Sequence, residues 1–565
     1  MPNTNEQAYA TEQQGDFMNE ISKGLSFTPL GGTGEIGMNL NVYGLDGDFL
    51  VVDCGMGFAG PEAPEAELLV PDPAFLAANR ERICGLVITH AHEDHIGGIA
   101  RIWDALRCPV YATPFAAALI RYRLGEAGLL RSVRITEIQP GGSFEVGPFG
   151  LRYIRMAHST PESQALVIAT KYGTVLHTGD WKLDPEPLIG PPTDEDALRE
   201  LGDAGVLAMI CDSTNALVEG HSGSEATVRR SLTSLIAGLR GRIVVTCFAS
   251  NIARIETVVK AAAAAGRHVA LVGRSLGKYV EAAQACGYLA DLPDFVPEDD
   301  TGSIPDDNLL ILATGSQGEK RSALARMAAD THRHVALGEG DTVIFSARVI
   351  PGNERAIGAV QDELVRAGVN IMTDDDHMVH VSGHPARDEL RRLYRLVRPH
   401  YLIPTHGEWR HMAAQADLAE AEGIRTLLLE DGDVLRLAPD APEVVDSVPV
   451  GRLAVDGDRL VPMQGGVMAA RRRMMLNGVV VGSLAVDREG KVKGAAQITA
   501  PGLFEAEDSA LAALAEDFVA TFEDLPVGLR TDRSAVRDAA QTALRRVLGR
   551  RFGKRPMVEV HIIHV

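Results

Sequence analysis

No stretch of this 565-residue chain approaches eighteen uninterrupted apolar residues, so nothing in it reads as a membrane span. The opening "MPNTNEQAYATEQQGDFMNE" lacks the basic start and apolar core of an export signal, and the expectation is a cytoplasmic protein with a disordered polar arm over residues 1–22. Cysteine is scarce. Cys54, Cys84, Cys108, Cys211, Cys247 and Cys286 form no CxxC pair and sit mostly in apolar runs, which predicts reduced, buried thiols instead of staples or zinc ligands. Basic charge is short as well. With 55 Lys and Arg against 76 Asp and Glu, the formal net charge is −21, which excludes a protein that coats nucleic acid indiscriminately but leaves room for a local basic track.

What is present is an ordinary globular composition, 45% hydrophobic and 23% charged, in a chain too long for one core; at least two domains, and more naturally three, are expected. Short apolar runs recur in the first half, among them "FLVVDCG" (49–55), "ICGLVITH" (83–90), "GTVLHTGD" (173–180) and "VLAMICDST" (206–214). Their length and β-branched content suit buried strands whose ends present side chains at one sheet edge, where α/β proteins place their chemistry. From about Glu219 the rhythm becomes a cleaner strand–helix alternation through "RIVVTCFASN", "HVALVGRS", "LLILATGS" and "DTVIFSA", which implies parallel strands with crossover helices. A Pro- and Asp-rich stretch then predicts a linker over 441–475, followed by a small α+β domain over 476–565 of two strands, two helices and the final strand "MVEVHIIHV".

The densest chemistry lies in "HAHEDH", His90 to His95. His90 and His92 are two apart, so on an extended segment both imidazoles point the same way. Asp94 and His95 follow on a tight turn before Gly97 and Gly98 release the chain into a helix. Two ligands then face one ion and two a neighbouring one; imidazole with carboxylate is the set of Zn²⁺, or of Mn²⁺ where carboxylates and water dominate. A surface loop merely rich in histidine is the alternative, and its position behind a buried-type strand speaks against it. Similar strand ends supply the rest. His158 closes "LRYIRMAH", Asp180 closes "GTVLHTGD" and His406 lies in "YLIPTHGE". Asp180 is the natural bridge between two ions about 3.5–4 Å apart. His177, earlier in the same strand, is expected to be a core or supporting histidine.

This set resembles the metallo-β-lactamase fold, an αββα sandwich, and the strand–helix block between "DST" and "HVSGH" resembles the β-CASP insertion of members that cut nucleic acids. Within that group the chain is similar to the ribonuclease J family: "DSTNA", "FASNIARIE", "GRS", "TGSQGE", "IPGNE", "HVSGH", "IPTHGEWR" and the terminal "KRPMVEVHIIHV" occur in order, over nearly the whole chain after its first twenty residues. The resemblance implies an α/β protein with a metallo-β-lactamase domain in two parts, 23–218 and 384–440, a β-CASP domain at 219–383 and an oligomerising domain at 476–565. It implies two divalent ions, zinc first and manganese in some members, one held by His90, His92, His158 and Asp180 and the other by Asp94, His95, Asp180 and His406. His380, Val381, Ser382, Gly383 and His384 are implied to contact phosphate, with His384 protonating the leaving oxygen and Asp94 doubling as proton acceptor.

The implied activity is hydrolysis of single-stranded RNA from a 5′-monophosphate end, with internal cutting alongside, by a homodimer or homotetramer that belongs to an RNA-decay complex and acts in mRNA decay and rRNA maturation. Ser250, Asn251, Arg274 and Ser316, each at an insertion strand end, are candidates to hold the terminal phosphate, although Ser250 and Asn251 equally suit helix capping before "IARIE". Basic tracks at 391–399, Arg471–Arg473 and 545–555 are candidates to guide the backbone. Two departures from the family pattern, Ala253 where a larger polar residue is expected and "HSTPES" for "HSIPDS", touch no ligand. A β-CASP nuclease for DNA and an inactive RNA-binding scaffold are the competing readings; His406 argues against the first and the intact ligand set against the second.

Overall fold

The computed structural model describes residues 23–60, 63–505 and 508–565, and the arm expected over 1–22 lies outside them. Among the described residues two units are present, one within 23–58 and 68–451, the other within 59–67 and 452–565.

In the first unit two sheets form the sandwich. One orders its strands Glu443–Ser447, Asp433–Ala438, Leu25–Gly31, Leu40–Leu45, Asp48–Val52, Ile83–Val87, Val110–Ala112 and Ile135–Glu137. The other runs Ser143–Val146, Phe149–Arg155, Gln164–Thr170, Gly173–His177, Ala208–Asp212, Tyr401–Thr405 and Arg425–Thr426. Period-two alternation decides which face each side chain takes. Along Gln164–Thr170, Leu166 and Ile168 enter the core between the sheets with Phe27, Tyr43 and Leu435. Ala165 and Val167 point the other way, onto Leu390, Leu393 and Tyr394 of the helix Arg387–Val397. Both faces are therefore covered, and each fully buried large apolar side chain contributes about 1.5–3 kcal/mol.

Strand direction positions the site. Gly173–His177, Ala208–Asp212 and Tyr401–Thr405 are parallel neighbours, as are Asp48–Val52 and Ile83–Val87. Their carboxyl ends deliver Asp180, Asp212, His406, Asp53 and His90 toward one edge.

The insertion carries a fully parallel sheet ordered His268–Val272, Leu309–Ala313, Ile243–Thr246, Thr342–Phe345 and Asn370–Met372. The sequence reading had the first four. The fifth, in "VNIMT", is three residues long and carries no buried run to mark it.

The linker expected over 441–475 is folded. Glu443–Ser447 pairs with Asp433–Ala438, so the Pro- and Asp-rich "LAPDAPEVVD" is the turn of a strand pair. Arg452–Asp456 and Arg459–Pro462 form a hairpin around a Gly457–Asp458 turn, and Gly466–Asn477 is a helix. Composition misled here because turn residues and linker residues are the same residues. In the second unit Val479–Val486 pairs in parallel with Met557–His564, and helices Ser509–Glu523 and Val536–Phe552 cover the sheet with Phe518, Phe522, Leu544 and Val547. None of the cysteines is paired, and four of them are buried.

Phe518 is fully buried in this core. Phe518→Ala is expected to cost about 3–5 kcal/mol, read as faster hydrogen exchange in Val479–Val486; unchanged exchange there would contradict the packing described.

Candidate metal centre

The loop after Ile83–Val87 carries His90 inside the protein and reaches a one-turn helix, Glu93–Ile96, with His92 just before it. A second loop, 53–56, grips that turn: Cys54 N donates to His95 O at 2.7 Å and Met56 N to Glu93 O at 3.0 Å. The approach demands glycine, since a Cβ on Gly55 would stand 1.8 Å from the Asp94 carbonyl oxygen. Asp53 and His406 both adopt the left-handed region, φ +62° and +51°, a conformation that costs a non-glycine residue of order 1–3 kcal/mol. Strain at two site residues is held by the surrounding hydrogen bonds, including His406 N to Gly32 O at 2.6 Å.

Asp180 lies at the centre, 2% exposed. Its Oδ2 faces His90 Nε2 at 3.6 Å and His158 Nε2 at 3.8 Å, with His92 Nδ1 3.1 Å from His158 Nε2. Its Oδ1 faces His95 Nε2 at 3.3 Å and His406 Nδ1 at 3.6 Å, with Asp94 Oδ2 3.1 Å from His406 Nε2. Ligand atoms bound at 2.0–2.2 Å around a tetrahedral ion stand about 3.3–3.6 Å apart, so these spacings are those of two ligand shells sharing one carboxylate. The donor atoms of each four-residue set lie within 4.8 Å of one another. Both oxygens of Asp180 and His90 Nε2 are buried with no hydrogen-bond partner among the described residues. Buried polar atoms seldom go without a partner, and here three of them face one another at ligand spacing, so the residues fit a pair of divalent cations.

Outer hydrogen bonds turn the rings. Thr89 donates its amide to Asp53 Oδ1 and its hydroxyl to Oδ2, both at 2.8 Å, so His90 Nδ1 must donate to Thr89 Oγ1 at 3.0 Å. His95 Nδ1 donates to Asp53 Oδ2 at 2.7 Å, and His158 Nδ1 to the Gly383 carbonyl at 2.6 Å. Each leaves Nε2 facing Asp180. His177 is no ligand: its Nδ1 meets the Tyr43 hydroxyl at 2.9 Å, the supporting role expected of it.

The two sets differ in proton affinity. Burial and mutual repulsion push His90 and His158 well below the ordinary histidine range, and burial takes His92 down to about 4. At His95 burial also pulls downward, but Asp180, Asp53 and Asp94 outweigh it and raise the imidazole to about 10. His406 is raised likewise against its burial, by Asp180 first and then by Asp212 and Asp94. The first set is ready to bind; the second holds protons that a cation must displace.

Beside Asp180 stands a residue the sequence reading did not assign. Asp212 is buried, accepts from His384 Nδ1 at 2.8 Å and lies 3.7 Å from His406 Nδ1. The available signal was its place at the end of "VLAMICDST", the same logic that picked out Asp180. Asp212 and Asp180 raise His384 against the effect of its burial. The His380–His384 loop is fixed by Asn215, whose Nδ2 donates to Ser382 Oγ at 2.8 Å and to the His384 carbonyl at 3.0 Å. His380 is held low by burial and by the nearby charges of Arg254, Arg348 and Lys182.

The expected phosphate pocket comes together only in part. Arg274 begins the helix Arg274–Ala285 and lines a cavity of about 360 Å³ with Arg123, Lys278 and Arg321. Asn251 is committed elsewhere: its Oδ1 caps the helix Ile252–Ala264 by accepting from Arg254 N at 2.9 Å, and its Nδ2 donates to Glu225 at 3.2 Å. Ser250 and the buried Ser316 do not line the Arg274 cavity. The 391–399 track is also largely spent, with Arg391 on Asp388, Arg392 on Glu195, Arg395 on Glu422 and Arg398 on Asp203. Arg471 and Arg472 pair with Asp456 and Glu65, and Arg551 of the 545–555 track with Asp517.

Metal analysis is expected to find about two divalent ions per chain, about one in His158→Ala and far less than one in Asp180→Asn; two ions retained by Asp180→Asn would contradict the shared carboxylate. Because His95 keeps its proton up to about pH 10, metal uptake should strengthen as pH rises and should release protons. Calorimetry at pH 7.5 in buffers of different ionisation heat checks this, and uptake without proton release would oppose it.

Comparison with known proteins follows the same division. Residues 39–245 match the family model described as metallo-beta-lactamase superfamily, and residues 240–364 that of the ribonuclease J beta-CASP domain. Residues 368–429 match the Zn-dependent metallo-hydrolase RNA specificity domain, and 466–565 the ribonuclease J C-terminal domain. Ribonuclease J of Sinorhizobium meliloti is 43% identical over 96% of this chain and 97% of its own length. That of Mycolicibacterium smegmatis is 37% identical over 96% and 98%. A crystal structure of a protein of unknown function from Enterococcus faecalis shares the fold, with a TM-score of 0.51 at 15% identity over 73% of this chain and 99% of that one. Family models end to end, and relatives similar over their full length, agree with the sandwich, the insertion and the ligand edge: the chain belongs to the ribonuclease J family.

Proposed function

We propose that this metal-dependent ribonuclease degrades single-stranded RNA from a 5′-monophosphorylated end, with internal cleavage as a second mode, in the mRNA decay and rRNA maturation of the cytoplasm. The observation that carries the reading is Asp180 between two ligand sets, with the His384–Asp212 pair at its side. His90, His92, His158 and Asp180 would hold one ion and Asp94, His95, Asp180 and His406 the other. Zinc fits the imidazole-rich donor set, with manganese as the alternative. When bound, the ions supply Lewis acidity that lowers the pKa of water and offsets charge on the phosphate.

The remaining work falls to the chain. Of the three site carboxylates, Asp94 is the accessible one, its side chain 28% exposed against 2% for Asp180 and 0% for Asp212, so it is the group that takes a proton from the attacking water. The water oxygen bonds to phosphorus, the bond from phosphorus to O3′ breaks with its electron pair on oxygen, and His384 gives O3′ a proton. With Nδ1 held by Asp212, His384 offers Nε2, and the carboxylates of Asp212 and Asp180 raise its proton affinity against the effect of burial. The products are a 5′-phosphate and a 3′-hydroxyl. Arg274 and Arg321 support recognition of a terminal phosphate in this cavity, where Arg123 and Lys278 are paired with Glu93 and Glu126. The second unit is proposed to join chains into a homodimer or homotetramer, which light scattering reads directly; a monomer mass would oppose it.

A 5′-monophosphorylated RNA is expected to release mononucleotides faster than its triphosphorylated twin or the matched DNA, with all cleavage lost on chelation. His384→Ala should lower the rate about 10²–10⁴-fold. Internal fragments regardless of the 5′ group would reject the end-sensing reading, and equal cleavage of DNA would reject the preference for RNA.

A further inference from the structure

The motif "FASNIARIE" offers Ser250 and Asn251 as phosphate contacts, yet Arg254, in the first turn of the helix that Asn251 caps, is the more constrained residue. Arg254 is 0% exposed and spends its guanidinium entirely on the protein. Its Nη2 donates to Glu225 Oε1 at 2.9 Å and Nε to Glu225 Oε2 at 3.2 Å. Its Nη1 donates to the Ser346 carbonyl at 2.8 Å, to Ser346 Oγ at 2.7 Å and to the Val379 carbonyl at 2.8 Å. Ser346 Oγ donates to the same Val379 carbonyl at 2.7 Å. Val379 directly precedes His380.

Four elements therefore meet at one cation: the helix Glu225–Gly238, the helix Ile252–Ala264, the end of the strand Thr342–Phe345 and the loop that carries His380 and His384. The network continues inward. Glu225 N donates to Asp184 Oδ2 at 3.1 Å, and Asp184 pairs with Lys182 at 3.2 Å, two residues beyond Asp180. At its far end the same loop is held by Asn215, and in between Gly383 accepts from His158. A buried ion pair is seldom kept for stability alone, because its desolvation offsets most of its attraction. What this pair does is fix a carbonyl one residue from the site.

We infer that Arg254, bridged by Ser346, is a positioning residue: it sets the 379–384 loop so that His384 meets both Asp212 and the leaving O3′. The inference rests on the proposed role of His384 as proton donor. Arg254→Lys keeps the charge beside Glu225 but loses the fork that reaches Ser346 and Val379 together. Ser346→Ala removes a single hydroxyl from the same carbonyl.

The test uses the full-length, metal-loaded protein and one 5′-monophosphorylated RNA, made also with sulfur in place of O3′ at the scissile bond, since a thiolate leaves without a proton. In Arg254→Lys, kcat on the oxygen RNA should fall at least about 10-fold with KM and metal content unchanged, and the loss should shrink to about 3-fold or less on the sulfur RNA, as in His384→Ala. If Arg254→Lys fails to fold or loses metal, Ser346→Ala carries the same comparison with a smaller loss. Wild-type kcat in both folded variants while His384→Ala is slow would overturn the inference and leave the proposed function standing. Equal losses on oxygen and sulfur RNA would also overturn it, as a general structural effect. Wild-type turnover by His384→Ala would instead remove the proton-donor role on which the inference rests.

Discussion

The site depends on one buried carboxylate ringed by imidazoles. Asp180 is buried, neither of its oxygens has a hydrogen-bond partner among the described residues, and six imidazoles crowd the same space. A buried anion left alone is expensive, and imidazoles packed edge to face at centroid separations near 5 Å repel once charged. Protonation of His95 and His406 relieves part of this, which is why their affinities rise while those of His90 and His158 fall. A pair of divalent cations held by the two ligand sets would offset the rest. The rest of the site then follows: Asp53 and Thr89 turn the rings, Gly55 lets two loops close together, and strain at Asp53 and His406 is tolerated to bring both into register.

The fold supplies this through strand direction. Parallel neighbours end at the same edge, so residues far apart in sequence, Asp180, Asp212 and His406, arrive side by side. The insertion interrupts that sheet between Ala208–Asp212 and Tyr401–Thr405 and hands the chain back through the 379–384 loop, which faces the ligand sets with His384 and is anchored on the insertion side by Arg254. Chemistry and insertion share hydrogen bonds instead of merely adjoining.

Much of this was legible from residue order. "HAHEDH" behind an apolar run, and three later strand ends, pick out all seven ligand candidates, because metal chemistry restricts residue type and strands restrict spacing. The two sets read from sequence are among the three groups whose donor atoms the structure brings within 4.8 Å of one another; the third joins Asp212 and His384 to Asp180 and His406. Residues whose role depends on a partner were harder. Asn251 reads equally as a cap or as a phosphate contact until Glu225 is seen beside it, and Asp212 gains meaning only from His384, 172 positions away. Surface charge misled for the same reason: "RRLYRLVRP" looks like a basic track until its acids, distant in sequence, are folded against it. The stretch 441–475 failed differently, since Asp, Gly and Pro mark tight turns as readily as linkers.

Crystals grown with zinc and measured on both sides of its absorption edge would test the shared carboxylate most directly. The account predicts two anomalous peaks about 3.5–4 Å apart, one on each oxygen of Asp180. A single peak, or a pair that leaves Asp180 bound on one side only, would contradict it.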